Sequence, residues 1–393
     1  MKRVALWAVA ALVAALAVAT ASRLIVRAEK APAVPNLAGK VLTVKGPVDP
    51  SVLGPMLPHE HIFIKFKTPA SVAGEFDGMT ADQRAKAERA LARAPKDWVD
   101  QGVDKPWAKG FPPGWNTLMD FDLQLAEVLE FKRAGGGAIV DVSNFGLTRS
   151  PDLLLRISEA SGLHVVMGAG WYEKAFHPRD MDLWTVDDMA DIIVRDITVG
   201  AQGTRVRAGV IGEIGVEGRP LTENEIKITR ASARAARITG APMHFHSGGG
   251  TPEEKQRILD IVAEEGFDLN HVIMGHNGSG DVALQRRITD RGAYVEFDGL
   301  AWGPDSLKPE AIEDLARRIV SLIDGGLTDR ILIAHDVCTN FQLKSKGGGG
   351  FGYISNLVVP ALKAKGVGDE TIRRIMVDNP ARAMTFAAPG APH

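Results

Sequence analysis

Two histidines flank a glutamate in GPMLPHEHIFI, the stretch from Gly54 to Ile64. On an extended strand, side chains at positions i and i+2 point to the same side, so His59 and His61 face one way and Glu60 the other. Two imidazoles on one face can supply two ligands to a single metal ion. The stretch therefore predicts part of a metal site whose other ligands come from distant parts of the chain.

Four further candidate ligands occur near the ends of later β-rich stretches: Glu213 in AGVIGEIG, His246 in PMHFH, His276 in HVIMGH and Asp336 in RILIAHD. A single histidine or acid in an apolar stretch is more often a core or turn residue than a ligand. Six of them at the carboxyl ends of predicted strands favour one shared site, because a parallel barrel brings those ends together. The predicted metal ligands are His59, His61, Glu213, His246, His276 and Asp336.

Two other histidines adjoin these ligands and receive different predictions. In HFH, His244 points to the same side as His246, but the strand-end rule puts it one layer deeper. We therefore expect His244 inside the barrel, supporting the ligands. His335 precedes Asp336, so it is expected to point outward, toward the helices.

Eight β-rich stretches alternate with helical stretches and must position these side chains. The predicted strands are 55–58, 138–142, 164–169, 208–215, 242–246, 271–276, 293–299 and 330–336. Helix starts are marked by Thr185, Thr222 and Thr251, each followed three residues later by an acid. Eight parallel strands with intervening helices predict an α/β fold of the (β/α)₈ TIM-barrel class, with the site at the carboxyl ends of the strands. An open doubly wound sheet is the competing fold, but no glycine fingerprint follows the first strand.

The chain divides into three predicted parts. Residues 1–21 have a basic start, an apolar run and a small-residue cleavage site, which predicts a signal peptide or, if uncleaved, an N-terminal anchor. Residues 22–35 are a linker, and residues 36–393 form the barrel, with an insertion at about 67–120 after the first strand. We expect export to the periplasm or outside the cell, with membrane contact only through an uncleaved N-terminal segment.

The insertion contains several large aromatic residues. They either pack the insertion on itself or form an apolar wall over the site, together with Trp171 and Trp302 from other loops. The insertion aromatics are Trp98, Trp107, Phe111 and Trp115.

Composition excludes several classes of protein. The 393 residues carry a formal net charge of −2, so the basic excess typical of nucleic-acid binders is missing. Cys338 is the single cysteine, which excludes an internal disulfide and a cysteine-based zinc site. We expect a small-molecule substrate and no nucleic-acid partner.

On these motifs the chain resembles the phosphotriesterase family of the amidohydrolase superfamily. The resemblance extends to GGGAIVDVSNFG, MGAGWY, VIMGHNGSGD and DNPAR. It implies a metal-dependent hydrolase with two divalent ions, zinc as first choice and Mn²⁺, Co²⁺ or Fe²⁺ as alternatives, and a homodimer, which is common among similar proteins. By this resemblance His59, His61 and Asp336 hold the more buried ion, while His246 and His276 hold the more exposed one.

The bridging ligand distinguishes this sequence from the best-known members of the family. Those proteins use a carboxylated lysine, whereas AGVIGEIG has no lysine and offers Glu213. The sequence therefore looks like the glutamate-bridged, phosphotriesterase-homology or phosphotriesterase-related branch, whose substrates are mostly not organophosphates. Two carboxylate oxygens can bridge two ions without any modification.

The expected reaction is hydrolysis of a lactone, carboxylic ester or amide, or of a phosphoester. Two ions would lower the pKa of a shared water, giving a bridging hydroxide for attack, with Asp336 as proton shuttle. The net positive charge of such a centre favours an anionic substrate. Tyr172 resembles a tyrosine that faces the metals in related lactonases, and it either orients the electrophile or lines the pocket. Basic candidates for a substrate anion are Arg149, Lys174, Lys344 and Lys346.

Two alternatives remain open at this point. A TatD-like metal-dependent nuclease also has an HxH motif and later histidines, but the export signal and the charge balance oppose it. A non-catalytic metal-binding or ligand-binding barrel is the second alternative, and the complete set of ligands and a proton shuttle oppose it.

Overall fold

The computed structural model describes residues 33–65, 117–177, 181–301 and 303–390. The predicted signal peptide, most of the predicted insertion with its four aromatics, and Trp302 lie outside these ranges. From Val34 onward the chain forms one compact unit. Among the described helices, none has both the length and the apolar character that crossing a membrane requires.

A parallel sheet of eight strands forms the centre of the molecule, with neighbours in chain order. The strands of the described residues, in chain order, are β1 (Val41–Thr43), β2 (Gly46–Val48), β3 (Met56–Glu60), β4 (Ile64–Lys65), β5 (Thr117–Leu118), β6 (Ala138–Asp141), β7 (His164–Ala169), β8 (Val210–Gly215), β9 (Met243–His246), β10 (Val272–Gly275), β11 (Tyr294–Phe297) and β12 (Ile331–Ile333). Strands β3 and β6–β12 build the barrel, so the TIM-barrel prediction is confirmed. The other four strands form two short antiparallel pairs.

Helices follow the barrel strands and surround them. They are α1 (Phe121–Arg133), α2 (Pro151–Ser161), α3 (Val186–Thr198), α4 (Glu223–Thr239), α5 (Pro252–Glu264), α6 (Val282–Thr289), α7 (Pro309–Asp324), α8 (Val359–Ala364), α9 (Asp369–Arg373) and α10 (Asn379–Ala383). The three threonines predicted from sequence begin α3, α4 and α5 with complete capping boxes, which satisfy backbone N–H groups of the first turn. These caps fix where each helix starts and therefore how long each preceding loop is.

Backbone hydrogen bonds close the barrel between its first and last strands. The N–H of Asp336 donates to the carbonyl of His59 at 3.0 Å, and the N–H of His61 donates to the carbonyl of Val337 at 3.1 Å. Both bonds lie just beyond the end of β12 (Ile331–Ile333), at the carboxyl end of the barrel. Closure therefore takes place among the predicted metal ligands.

The interior of the barrel changes from apolar to charged along its axis. Side chains from seven of the eight barrel strands fill the amino-terminal part, including Val140, Val210 and Leu332. The β1–β2 hairpin joins this cluster through Val41. Farther along the axis, His244 and Glu296 are fully buried inside the barrel. The apolar part gives the rigidity that holds the polar part in position.

Candidate metal centre

The six predicted ligands lie together at the carboxyl end of the barrel. Glu213 on β8 is the central residue, with oxygens 3.3 Å from His59 Nε2 and 3.4 Å from His61 Nε2. Asp336 Oδ1 lies 3.4 Å from His61 Nε2 and 3.7 Å from His59 Nε2. Glu213 Oε1 also lies 2.5 Å from His246 Nδ1 and 3.2 Å from His276 Nε2. Six residues from five separate stretches of the sequence thus surround one small space, although their role as ligands stays a prediction.

The spacing around His59, His61 and Asp336 suits a cation. Two ligands of a tetrahedral zinc ion, each about 2.0–2.1 Å from the metal, lie about 3.3 Å apart. The contacts of 3.3–3.7 Å among these side chains and Glu213 match that separation and are too long for good hydrogen bonds. Within the described part of the chain, His59 Nε2 and Glu213 Oε2 are buried and accept or donate no hydrogen bond. The donors and their unsatisfied atoms therefore fit a metal ion.

The second group of donors is more closely packed. His276 Nε2 lies 2.6 Å from His246 Nδ1, which itself lies 2.5 Å from Glu213 Oε1. These separations are hydrogen-bond distances, and a cation among the three atoms requires the imidazoles to move apart. The side chains of His246 and His276 are 12% and 16% exposed, against 0% and 2% for His59 and His61. The side chains in this half of the centre are thus the more accessible ones.

Acidic and polar side chains hold the outer ring nitrogens of the histidines. Glu296 Oε2 accepts hydrogen bonds from His59 Nδ1 at 2.9 Å and from His244 Nε2 at 2.7 Å. Asp298 Oδ1 lies 2.6 Å from His276 Nδ1, and Ser143 Oγ lies 2.9 Å from His61 Nδ1. Such partners fix the tautomer and the orientation of a ligating imidazole.

Sequence reasoning missed the acids that contact the histidines, among them Glu296, Asp298 and Glu217. Asp298 follows β11 (Tyr294–Phe297), so the strand-end rule used for the six ligands could have found it. Glu296 lies inside the same strand, where alternation places it on the inner face with Asp298. Glu217 lies in a loop, where its contact of 2.9 Å with His246 Nε2 has no sequence signal. The prediction that His244 lies a layer below His246 agrees with its burial and its bond to Glu296.

The electrostatics of the centre are those of a cation site. Burial opposes ionisation of Glu213, but the positive charges of His246 and His59 hold the pKa of its carboxyl well below the usual range. Burial also opposes protonation of His61, yet the nearby carboxylates of Asp336 and Glu213 raise its pKa to about 9. The carboxylates thus attract positive charge so strongly that, without a metal, the histidines supply it as protons.

Two of the six residues have unusual backbone conformations. His276 has φ 56° and Asp336 has φ 54°, in the left-handed region that non-glycine residues rarely adopt. Each such residue costs about 1–3 kcal/mol and persists only where its surroundings enforce it. His276 directly follows β10 (Val272–Gly275), and Asp336 lies three residues after β12 (Ile331–Ile333). At both positions the strained backbone turns the side chain into the centre.

Tyr172 lies beside the more exposed half of the centre. Its ring is 5.0 Å from the ring of His246 and 5.4 Å from that of Phe176. Burial, reinforced by the negative charges of Glu173 and Glu213, raises the pKa of the phenol well above its usual value. The hydroxyl therefore keeps its proton at neutral pH and can donate a hydrogen bond to an oxygen in the site.

Three other sequence candidates have structural roles instead. Arg149 is buried and donates to Asp196 at 2.8 Å and to the carbonyl of Gly168 at 3.0 Å, so it is an internal ion pair and not an anion-binding group. Trp171 is 1% exposed and belongs to the core, not to a wall of the mouth. Lys344 pairs with Glu130. Lys174 is exposed, as is Lys346.

Comparison with known proteins agrees with this geometry. The sequence profile of the phosphotriesterase family matches residues 39–384. N-acetyltaurine hydrolase from Homo sapiens is 31% identical over 367 residues, covering 89% of this chain and 99% of the human protein. The corresponding protein from Danio rerio is 32% identical over 373 residues, with the same coverage.

Solved structures share the fold over most of their length. A resiniferatoxin-binding protein from Rhodobacter sphaeroides is 34% identical, with a TM-score of 0.73 over 91% of this chain and 98% of that one. A lactonase from Listeria monocytogenes has a TM-score of 0.71 at 24% identity, over 88% of this chain and 99% of that one, and supports the fold alone.

The matched region, residues 39–384, contains all six predicted ligands and the whole barrel. The match favours the hydrolase prediction over the TatD-like nuclease and over a non-catalytic barrel. The chain belongs to the phosphotriesterase family and is a hydrolase.

Proposed function

We propose that this chain is a binuclear metal-dependent hydrolase of carboxylic amides or esters, with N-acyl amides as the first substrates to test. The observation that carries the proposal is the position of Glu213, whose carboxylate contacts all four histidines: Oε1 is near His59, His246 and His276, and Oε2 is near His61. Two cations held by these residues and Asp336 would supply a Lewis acid for a carbonyl oxygen and a hydroxide at neutral pH. The identity of the metals is part of the proposal, with zinc as first choice.

The protein's own groups can divide the remaining work. Asp336 is 13% exposed, whereas the carboxylates of Glu213, Glu296 and Asp298 are at most 2% exposed. Among these four acids, Asp336 is therefore the one that can take a proton from the attacking water and return it to the leaving group. Tyr172 keeps its proton and can donate to the oxygen on which negative charge develops.

Substrate class is supported by charge and by the relatives. Glu296 and Asp298 add two buried negative charges close to the ligands, which offsets the net positive centre expected from the six ligands alone. An anionic reacting group therefore gains less than the sequence suggested, and a neutral acyl carbonyl is favoured. The similar N-acetyltaurine hydrolases act on an amide by name, which is why N-acyl amides come first.

A metal count and a substrate panel test the proposal. The protein is loaded with Zn²⁺, bound metal is counted, and N-acyl amino acids, lactones, aryl esters and phosphoesters are assayed alongside Asp336→Asn. We expect about two ions per chain, hydrolysis of at least one amide or ester, and a loss of about 10²–10⁴-fold in kcat in the variant with its circular dichroism unchanged. A folded, metal-loaded protein that hydrolyses none of the panel contradicts the proposal.

A further inference from the structure

Glu60 lies between the two histidines of the HxH motif but faces away from the centre. Its side chain is fully buried, as is that of His335. Both residues were expected to point away from the barrel interior. The structure shows that their side chains meet on that outer side. His335 Nδ1 donates to Glu60 Oε1 at 2.7 Å.

The carboxylate of Glu60 also binds the backbone on both sides of Asp336. Oε1 accepts from the N–H of His335 at 2.8 Å, and Oε2 accepts from the N–H of Val337 at 2.9 Å. Asp336 itself has φ 54°, and a left-handed residue makes neighbouring N–H groups converge into a concave site for an anion. One carboxylate thus fills the concavity that the strained residue creates.

The same group of contacts joins the first and last barrel strands. Two backbone hydrogen bonds, from Asp336 to His59 and from His61 to Val337, lie directly beside the Glu60 carboxylate. His335 continues the network, because its Nε2 accepts from the N–H of Ile354 at 3.2 Å. This acceptor role requires Nε2 to be unprotonated, so His335 is neutral and its proton is on Nδ1, facing Glu60.

We propose that Glu60 is a positioning residue of the hydrolytic site, which holds the backbone of residues 335–337 so that the carboxylate of Asp336 points into the centre. The inference rests on the proposed function for the role of Asp336. The hydrogen bonds of the Glu60 carboxylate go to His335 and Val337, on either side of Asp336, so we expect the side chain to act on the centre through Asp336. Without the carboxylate, two buried N–H groups lose their acceptor and the left-handed turn loses its support.

Glu60→Gln tests the inference with little change in size. The amide has one acceptor oxygen, so its NH₂ group faces a backbone N–H that needs an acceptor. We expect a folded protein whose affinity for Zn²⁺ falls by about 10–100-fold, as for other residues that orient metal ligands, with kcat lowered and KM nearly unchanged. The visible spectrum of the Co²⁺-loaded protein should also change, because the coordination geometry changes.

Glu127→Gln is the matched control. Glu127 is also buried and also accepts two backbone N–H bonds, from Lys344 and Ser345, each at 2.9 Å. We expect its substitution to lower thermal stability without changing metal affinity or the Co²⁺ spectrum. Equal losses of metal affinity in both variants would show a general structural effect and overturn the inference.

A second variant covers the case in which Glu60→Gln does not fold. Glu60→Asp keeps the charge but is one methylene shorter, and it should show a smaller loss of metal affinity in the same direction. Wild-type metal affinity in every folded Glu60 variant overturns the inference while leaving the proposed function intact. A wild-type protein that binds no metal instead overturns the proposed function.

Discussion

Glu296 Oε2 lies 2.9 Å from His59 Nδ1, and both side chains are fully buried inside the barrel. In the neutral imidazole that a metal binds, the carboxylate accepts the proton on Nδ1, so Nε2 presents its lone pair to the centre. This Nε2 atom is also among the buried nitrogens without a hydrogen-bond partner in the described residues. Glu296 therefore selects the tautomer that a metal ligand requires.

Glu296→Gln should weaken metal binding. The amide oxygen can still accept from His59, so the substitution mainly removes the negative charge that increases the basicity of the imidazole. We expect affinity for Zn²⁺ to fall by about 10–100-fold, measured by competition with a chromogenic chelator. Asp196→Asn is the control, because it disturbs a buried carboxylate away from the centre. Equal affinities for Zn²⁺ in wild type and Glu296→Gln would mean that the hydrogen bond between His59 and Glu296 contributes only to the packing of the barrel interior.

Metal binding should strengthen as the pH rises from 6.5 to 9. Without metal, burial opposes protonation of His276, but the negative charge of Asp298 outweighs it and raises the pKa of His276 to about 9, as for His61. A metal binds only the neutral imidazole, so it must displace these protons. Calorimetry in two buffers of different ionisation enthalpy should show proton release on adding Zn²⁺ at pH 7. An affinity that is constant over this range would contradict the prediction.

The metal-free protein should show the opposite trend in stability. A histidine whose pKa is raised in the folded state stabilises the fold fully below its unfolded pKa of about 6.5, and the contribution is lost as the pH rises through about 9. We therefore expect the Tm of the metal-free protein to fall between pH 6.5 and 9, and the Tm of the zinc-loaded protein to fall less over the same interval. A Tm that rises over this interval after chelation would contradict the prediction.

Arg149→Met should reduce stability without affecting the site. The substitution leaves Asp196 buried without its guanidinium partner, at an expected cost of about 3–5 kcal/mol in the free energy of unfolding. Urea denaturation measures the change, and KM for an accepted substrate should stay the same. Arg317→Met removes an exposed partner of Asp314 and should cost less than about 1 kcal/mol. A large rise in KM for Arg149→Met would restore it as a substrate-binding residue.

The barrel and its six converging side chains were predictable because two simple structural rules determine them. Alternation along a strand assigns His59 and His61 to one side, and parallel closure brings the carboxyl ends of all strands together. Alternation acts within a short stretch of sequence, and closure applies to every barrel of this class. A single sequence is therefore enough to predict that these six side chains converge.

The partners of the outward-facing residues were not predictable. Alternation indicated that Glu60 and His335 point away from the interior, but their meeting depends on the closure of β3 (Met56–Glu60) against β12 (Ile331–Ile333), 275 positions apart. The left-handed backbone of Asp336 has only a weak residue-type signal, because aspartate adopts this region more readily than most residues but still does so rarely. Glu217 reaches His246 from a loop whose path no periodicity determines.

Tyr172→Phe distinguishes a catalytic hydroxyl from a pocket wall. The variant keeps the ring against His246 and Phe176 and removes only the hydroxyl, which retains its proton because burial raises its pKa. If the hydroxyl donates to a developing oxyanion, kcat should fall by up to about 10²-fold while metal content stays the same. Tyr353→Phe is the control, since its hydroxyl donates to the carbonyl of Ser306. Unchanged kcat in Tyr172→Phe would make Tyr172 a wall of the pocket and leave Asp336 as the one side chain with a proposed role in proton transfer.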